Sequence, residues 1–322
     1  ILCNICEACL ARYLRSLKFS DNDFESTIAA SIFTSLLQSQ SGLTVLELCD
    51  NKLSGWLSSE LLNSFKISSL PRNGQYFLQS LTELNLRGNL LESHDVDILE
   101  KILECMPELQ KFDLSDNPIG DDGVRVLIPY FQHILSNDMH MVDVNIANCN
   151  ISCVGASLLF DSLSILKKPV HSLGLAYNDL GSPVATALAK FLKNVPTERL
   201  DIEGIGLGFS GCNELQEAMS YNKSLVYLNL SKNRGGLALA TMLSKIISHS
   251  HKISVINAGY NFLCLESLKL IATGLKQSKG QIRCVDLRGN SDGYHAKTLS
   301  IFNEFQSDGK SVEIAKLLTA TY

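Results

Sequence analysis

Leu225-Val-Tyr-Leu-Asn-Leu-Ser-Lys-Asn233 is the stretch that decides the fold. Read as Leu-x-x-Leu-x-Leu-x-x-Asn, it recurs along the chain. Earlier copies are Leu14/Leu17/Phe19/Asn22, Leu43/Leu46/Leu48/Asn51, Leu81/Leu84/Leu86/Asn89 and Leu109/Phe112/Leu114/Asn117. Then come Met141/Val144/Ile146/Cys149, Val170/Leu173/Leu175/Asn178 and Thr197/Leu200/Ile202/Ile205. Ile253/Ile256/Ala258/Asn261 and Ile282/Val285/Leu287/Asn290 follow it. Eight of the ten copies keep the Asn, Cys149 is a permitted substitute, and only Ile205 departs. Successive last positions are 29, 38, 28, 32, 29, 27, 28, 28 and 29 residues apart. A period that long leaves room for a helix in each repeat.

Spacing between the copies agrees. Ile28, Ile32 and Leu36, then Val124, Leu127, Ile128, Phe131 and Leu135, then Leu268, Ile271 and Leu275 recur every three or four residues, as on one face of a helix. Each repeat therefore reads as strand, turn and helix. Template apolar residues two apart point to one face of the strand, toward the helices, and the residues between them point to the other. The Asn after the strand is expected to satisfy turn backbone groups that a parallel stack leaves unpaired, forming an internal ladder. Repeats that bury their apolar face only against neighbours stack in one dimension and curve, strands inside and helices outside.

These residues resemble the ribonuclease-inhibitor-like class of leucine-rich repeats over about residues 14 to 306. The resemblance implies an α/β leucine-rich-repeat solenoid, a right-handed α/β horseshoe of about ten repeats with parallel strands concave and helices convex. Residues 1–13 are expected to be the end of a truncated preceding element, because Ile1 to Ala11 is apolar without a cap. Residues 14–306 form the repeat domain, and 307–322 a C-terminal cap. Within that cap Ser311 to Leu318 alternates as a closing strand would.

Composition narrows the function. The 322 residues carry 28 Lys and Arg against 33 Asp and Glu, net −5, and 45% are apolar, which excludes a disordered chain. No uninterrupted apolar run approaches a membrane span, and no leader pattern opens the chain. Without clustered Lys and Arg, direct nucleic-acid binding is not expected.

Departures from the repeat read as structure. The surplus in the second repeat falls in Ile67 to Tyr76, with Pro71 and Gly74, a surface loop. The extra length before the fifth copy lies near Ser136-Asn-Asp138. Glu203-Gly-Ile-Gly-Leu-Gly208 superficially resembles a phosphate loop. It sits at the repeat's own turn without the strand-helix-strand unit a nucleotide fingerprint needs.

Chemistry is sparse. Among ten cysteines only Cys3, Cys6 and Cys9 cluster, without the second knuckle zinc requires, and the rest take small apolar repeat positions, as free thiols in a reducing compartment do. None of the seven histidines stands at a repeated strand position beside a Ser or Cys nucleophile. His249-Ser-His251 falls at a helix end. No catalytic residue, metal, cofactor or small-molecule substrate is expected.

The strand face is the candidate site. Its central residues are Lys18, Glu47, Asn85, Asp113, Asn145, Gly174, Asp201, Asn229, Asn257 and Asp286. Flanking positions add Arg87, Lys111, Asp143, Arg199, Glu203, Tyr227 and Arg288, and Tyr177 and Tyr260 stand just beyond the strands. With Glu83, the strand triplets carry seven acidic residues against five basic, which suits a folded protein partner with both signs. The expected partner site runs from Asp143 and Asn145 through Tyr177, Arg199, Asp201, Glu203, Tyr227, Asn229, Asn257 and Tyr260 to Asp286 and Arg288.

A narrower resemblance lies in Leu225 to Gly236, Val255 to Asn261, Glu266-Ser-Leu268 and Cys284 to Asn290, which is similar to the C-terminal repeats of plant Tonsoku proteins. It implies an intracellular, nuclear scaffold in DNA replication and repair on chromatin, with tetratricopeptide repeats upstream. Two other families share the repeat type. The Ran GTPase-activating protein ends in an acidic tail, whereas this chain ends in Lys316-Leu-Leu-Thr-Ala-Thr-Tyr322. Intracellular immune receptors carry such repeats behind a nucleotide-binding module.

Overall fold

The computed structural model describes residues 13–22, 42–55, 78–104, 106–136, 142–166, 168–278, 280, 282–290 and 313–314. The chain divides into two compact units, Ile1–Ile151 and Ser152–Tyr322.

In the first unit, β1 (Ser16–Lys18), β2 (Val45–Glu47), β3 (Glu83–Asn85), β4 (Lys111–Asp113) and β5 (Asp143–Asn145) pair in chain order, all parallel. Leu46, Leu84, Phe112 and Val144 stand in register and are buried. Helices α1 (Ser93–Leu103) and α2 (Gly120–Ser136) pack on each other. Asp95 starts α1 and ties it to another repeat: it accepts from the Glu92 N–H at 3.0 Å and the Gly55 N–H at 3.0 Å, fully buried. The expected helix at Ile28 to Leu36, the 67–76 loop, Asn137-Asp138 and the Cys3/Cys6/Cys9 cluster lie outside the described residues.

The second unit opens with α3 (Cys153–Leu166) and continues with β6 (Val170–Gly174), α4 (Ala185–Asn194), β7 (Thr197–Asp201), α5 (Gly208–Tyr221), β8 (Tyr227–Asn229), α6 (Gly236–His249), β9 (Val255–Asn257), α7 (Leu265–Gln277), β10 (Cys284–Asp286) and β11 (Glu313–Ile314). A 3-10 turn, Ser182–Val184, leads into α4. These six strands are parallel and ordered as in the sequence. Each helix from α3 to α7 packs on the next. α7 shows why: Leu268, Ile271, Ala272 and Leu275 bury one face, and Phe160 stacks on Phe191 between α3 and α4 at 5.2 Å. Leu173, Leu200, Leu228, Ile256 and Val285 form the strand side of that core.

Between strands and helices runs the asparagine ladder. Asn51, Asn89, Asn117, Asn233 and Asn261 are fully buried. Asn89 Nδ2 donates to the Leu48 carbonyl one repeat back at 2.7 Å and to its own Leu86 carbonyl at 2.8 Å, and its N–H donates to Asn117 Oδ1 at 2.8 Å. Asn233 and Asn261 repeat the pattern in the second unit, with the Asn233 N–H on Asn261 Oδ1 at 3.0 Å. One amide side chain thus serves donors and acceptors of two adjacent turns that burial would otherwise leave unpaired.

The two exceptions show how the ladder is patched. In four repeats among the described residues the amide two residues after the ladder position donates to the next Asn Oδ1: Leu91 to Asn117 at 3.0 Å, Leu207 to Asn233 at 3.2 Å, Gly235 to Asn261 at 3.3 Å and Leu263 to Asn290 at 3.3 Å. Where the next residue is Cys149, the Ile119 N–H turns to the Asn117 carbonyl at 2.8 Å. Where it is Ile205, the Leu180 N–H goes to the Asn178 and Ile205 carbonyls at 3.0 and 3.1 Å. Cys149 keeps the donor half of the role, its thiol reaching the Leu114 carbonyl at 3.2 Å.

Candidate partner-binding face of the second unit

Ten of the twelve expected site residues belong to the second unit; Asp143 and Asn145 belong to the first, where Asn145 Nδ2 donates to Asp113 Oδ2 at 2.9 Å. In the second unit strand register sets Arg199 beside Tyr227, and Asp201 beside Asn229 and then Asn257. The Arg199 guanidinium lies over the Tyr227 ring, 4.3 Å from its centroid. Asn257 Nδ2 donates to the Tyr227 hydroxyl at 3.3 Å.

Around Glu203 a second cluster closes. Its carboxylate accepts from the Tyr177 hydroxyl, from Lys232 Nζ at 2.8 Å and from Asn229 Nδ2 at 3.0 Å. Lys232 also donates to the Tyr177 hydroxyl at 2.7 Å and stands 4.9 Å from that ring's centroid. Burial pushes the Glu203 carboxyl up, but the bonds from Lys232, Tyr177 and Asn229 outweigh it and hold the group below its usual value. The same bond to Glu203 raises both Lys232 and Tyr177. Neighbouring Asp201 moves the other way: burial raises it, against the Glu203 N–H and Asn229. At the far end Arg288, just past β10, grips Asp286 at the end of that strand through Nε at 2.9 Å and Nη2 at 2.5 Å.

Two expected contact residues are more covered than a free face requires. Asn229 and Asp286 are buried, the first under the Glu203 cluster, the second under Arg288. They position their neighbours. Tyr177 and Tyr260 are about half exposed, as an anchor requires.

Three residues of this region escaped the sequence reading: Lys232, Arg234 and Phe262. Lys232 is the hub of the Glu203 cluster, and Phe262 has the largest exposure of the unit's aromatic residues beside the strands, 70%. The missed signal was positional. Every ladder residue is preceded by one with positive φ, from Asp21 (56°) through Tyr177 (59°) and Lys232 (58°) to Tyr260 (55°) and Gly289 (69°). A fixed left-handed site just outside the strand makes its occupants comparable between repeats.

The face holds no reactive set among the described residues. Burial pushes the Cys149 and Cys212 thiols up to about 12, so neither is a nucleophile near neutral pH. Among the described residues no three His, Cys, Asp or Glu stand together as metal ligands, and no helix is long and apolar enough to cross a membrane. His249 Nδ1 sits 2.8 Å from the Lys245 carbonyl, a helix-end contact. Gly204, Gly206 and Gly208 have φ of 63–77°, the turn geometry expected of that glycine-rich stretch.

Parallel strands, helices across a buried core and an asparagine ladder between them define an α/β leucine-rich-repeat solenoid. Residues 106–127 match the family model of the Leucine Rich repeat. Mouse ribonuclease inhibitor is 25% identical over 226 residues, 64% of this chain and 49% of that protein. Human NACHT, LRR and PYD domains-containing protein 14 is 29% identical over 205 residues, 62% of this chain and 18% of that protein. The chain thus spans about half of the first relative and under a fifth of the second. The crystal structure of leucine-rich repeat-containing LegL7 from Legionella pneumophila aligns with a TM-score of 0.48 and 22% identity, over 84% of this chain and 82% of that one.

Proposed function

We propose that this chain is a non-catalytic protein-binding scaffold whose partner docks on the strand face and adjoining turns of the second unit. The observation that carries the reading is the hydrogen-bonded set Tyr177, Glu203, Lys232 and Asn229 beside the Arg199–Tyr227 stack. Tyr and Arg dominate binding energy at interfaces, and rings already braced in the free protein lose less freedom on docking. The near-even sign of the face suits a folded protein over a phosphate backbone. A relative named for inhibiting ribonucleases supports protein capture as the mode of action.

Tyr227→Ala with Tyr260→Ala in the full chain tests the reading. Folding should persist while partner affinity falls tenfold or more, since each such truncation costs about 1–4 kcal/mol at an interface. Unchanged affinity contradicts it. Stimulated GTP hydrolysis by Ran would overturn the non-catalytic half.

The NACHT-protein relatives favour one second reading, the sensor repeats of an intracellular immune receptor. A nuclear role in genome maintenance rests on the Tonsoku resemblance alone. A tagged full chain concentrating in nuclei during replication supports that role, and steady exclusion from nuclei contradicts it.

A further inference from the structure

We infer that Arg234, Tyr260 and Phe262, on the turns at the edge of the strand face, form the seat for a protein surface presenting carboxylates among aliphatic side chains, and that these residues are kept there at the expense of fold stability. The inference rests on the scaffold reading above and narrows it to one edge and one partner chemistry.

Backbone conformation supplies the first argument. Arg234, Tyr260 and Phe262 have φ of 54°, 55° and 58°. Bulky side chains are strained in that region, whereas Gly, Asn and Asp tolerate it. Before the ladder the matching positions of the first unit hold only tolerant residues, Asp21, Asp50, Gly88, Asp116 and Asn148; after it they hold Lys52, Leu90 and Asn150. In the second unit the turns after β8 and β9 carry bulky side chains at both positions, Lys232 and Arg234, then Tyr260 and Phe262, and the Lys232 N–H on the Gly259 carbonyl at 2.9 Å holds these turns side by side. Strain that burial does not repay points to use elsewhere: Phe262 is 70% exposed and Tyr260 55%.

Free valences supply the second argument. Lys232 is held by Glu203 and Arg288 by Asp286. Arg234 and the Tyr260 hydroxyl have no hydrogen-bond or ion-pair partner among the described residues. The patch therefore offers two rings, a guanidinium fork and a phenol donor, and lacks an acceptor of matching strength; carboxylates between aliphatic side chains complete it. A nucleic acid would meet a single open cation here, because the flanking cations are already neutralised.

The seat is also preformed. A Cβ at Gly289 would lie 2.4 Å from Cδ1 and Cε1 of the Tyr260 ring, so the ring rests on bare backbone of the next repeat. Only glycine there lets Tyr260 lie flat.

Two measurements on the full chain test the inference. Phe262→Asn should raise the thermal midpoint by about 2 °C, because Asn tolerates the left-handed backbone. Leu90→Asn, at the matching position of the first unit with φ 59°, should do the same. A fall with Phe262→Asn overturns the strain argument. Tyr260→Asn with Phe262→Asn should weaken partner binding at least tenfold, while Leu90→Asn leaves it unchanged. A benzophenone side chain at position 262 should cross-link to peptides rich in Asp or Glu beside aliphatic residues; cross-links to nucleic acid or to basic peptides overturn the partner assignment. If Tyr227→Ala with Asn257→Ala abolishes binding while the Tyr260/Phe262 pair keeps it, the scaffold reading stands and this inference falls. If neither pair changes binding, both fall.

Discussion

The two units spend their strand faces differently. In the first, charged side chains of neighbouring repeats neutralise one another: Lys18 with Glu47 at 2.6 Å, Lys111 with Glu83 at 3.4 Å and Arg87 with Asp116 at 2.6 Å. In the second, aromatic rings enter the network: Tyr177 and Tyr260 are about half exposed, and the Arg199 guanidinium lies over Tyr227. Exposed ion pairs contribute little and keep a surface soluble, whereas half-exposed tyrosines braced by neighbours are the material of an interface. On the proposal above, one backbone template carries a solvated face in one region and a binding face in the other.

The largest effect should come from what the units share. Asn89→Ala and Asn233→Ala each strand several buried backbone groups and should destabilise their own unit by about 3 kcal/mol or more, read by denaturant unfolding. Cys149→Ala removes one thiol donor from the same column and should cost about 1 kcal/mol. Equal losses at all three would show that the ladder is not what holds the turns.

A smaller effect separates the units by pH. Glu203 titrates below its ordinary value when folded, so its contribution is complete above about pH 4.5 and is lost as pH falls through the folded value. Asp201 is raised by burial, so its ionisation costs stability above its ordinary value. Glu203→Gln should therefore flatten the acid loss of stability, and Asp201→Asn should raise stability at pH 7. An unchanged acid profile in Glu203→Gln would remove the Glu203 cluster from the account.

The smallest effect lies in the first unit. Among the described residues the buried Tyr130 hydroxyl, beside Phe112 and Phe131, has no hydrogen-bond partner. Tyr130→Phe should be neutral or stabilising by up to about 1 kcal/mol, and a clear loss would reveal a partner for that hydroxyl.

Period and template made the strands legible in the sequence, because apolar residues two apart can share only one face and the ladder Asn has one place to go. The same template found Tyr227 and Arg199 as outward neighbours. It could not show that Asn229 and Asp286 are covered, since their burial comes from long side chains, Glu203 and Arg288, folding across them. Lys232 and Phe262 escaped because they stand past the strand, where alternation no longer says which way a side chain points; only the backbone dihedrals mark those positions as repeating sites.

The central claim is that the second unit, not the first, meets the partner. Amide hydrogen exchange of the full chain, free and saturated with the protein it captures, tests this most directly. The account predicts added protection at 177–181, 203–207, 232–236 and 260–264, with none at 45–52 or 83–90. Protection confined to the first unit's turns would contradict it.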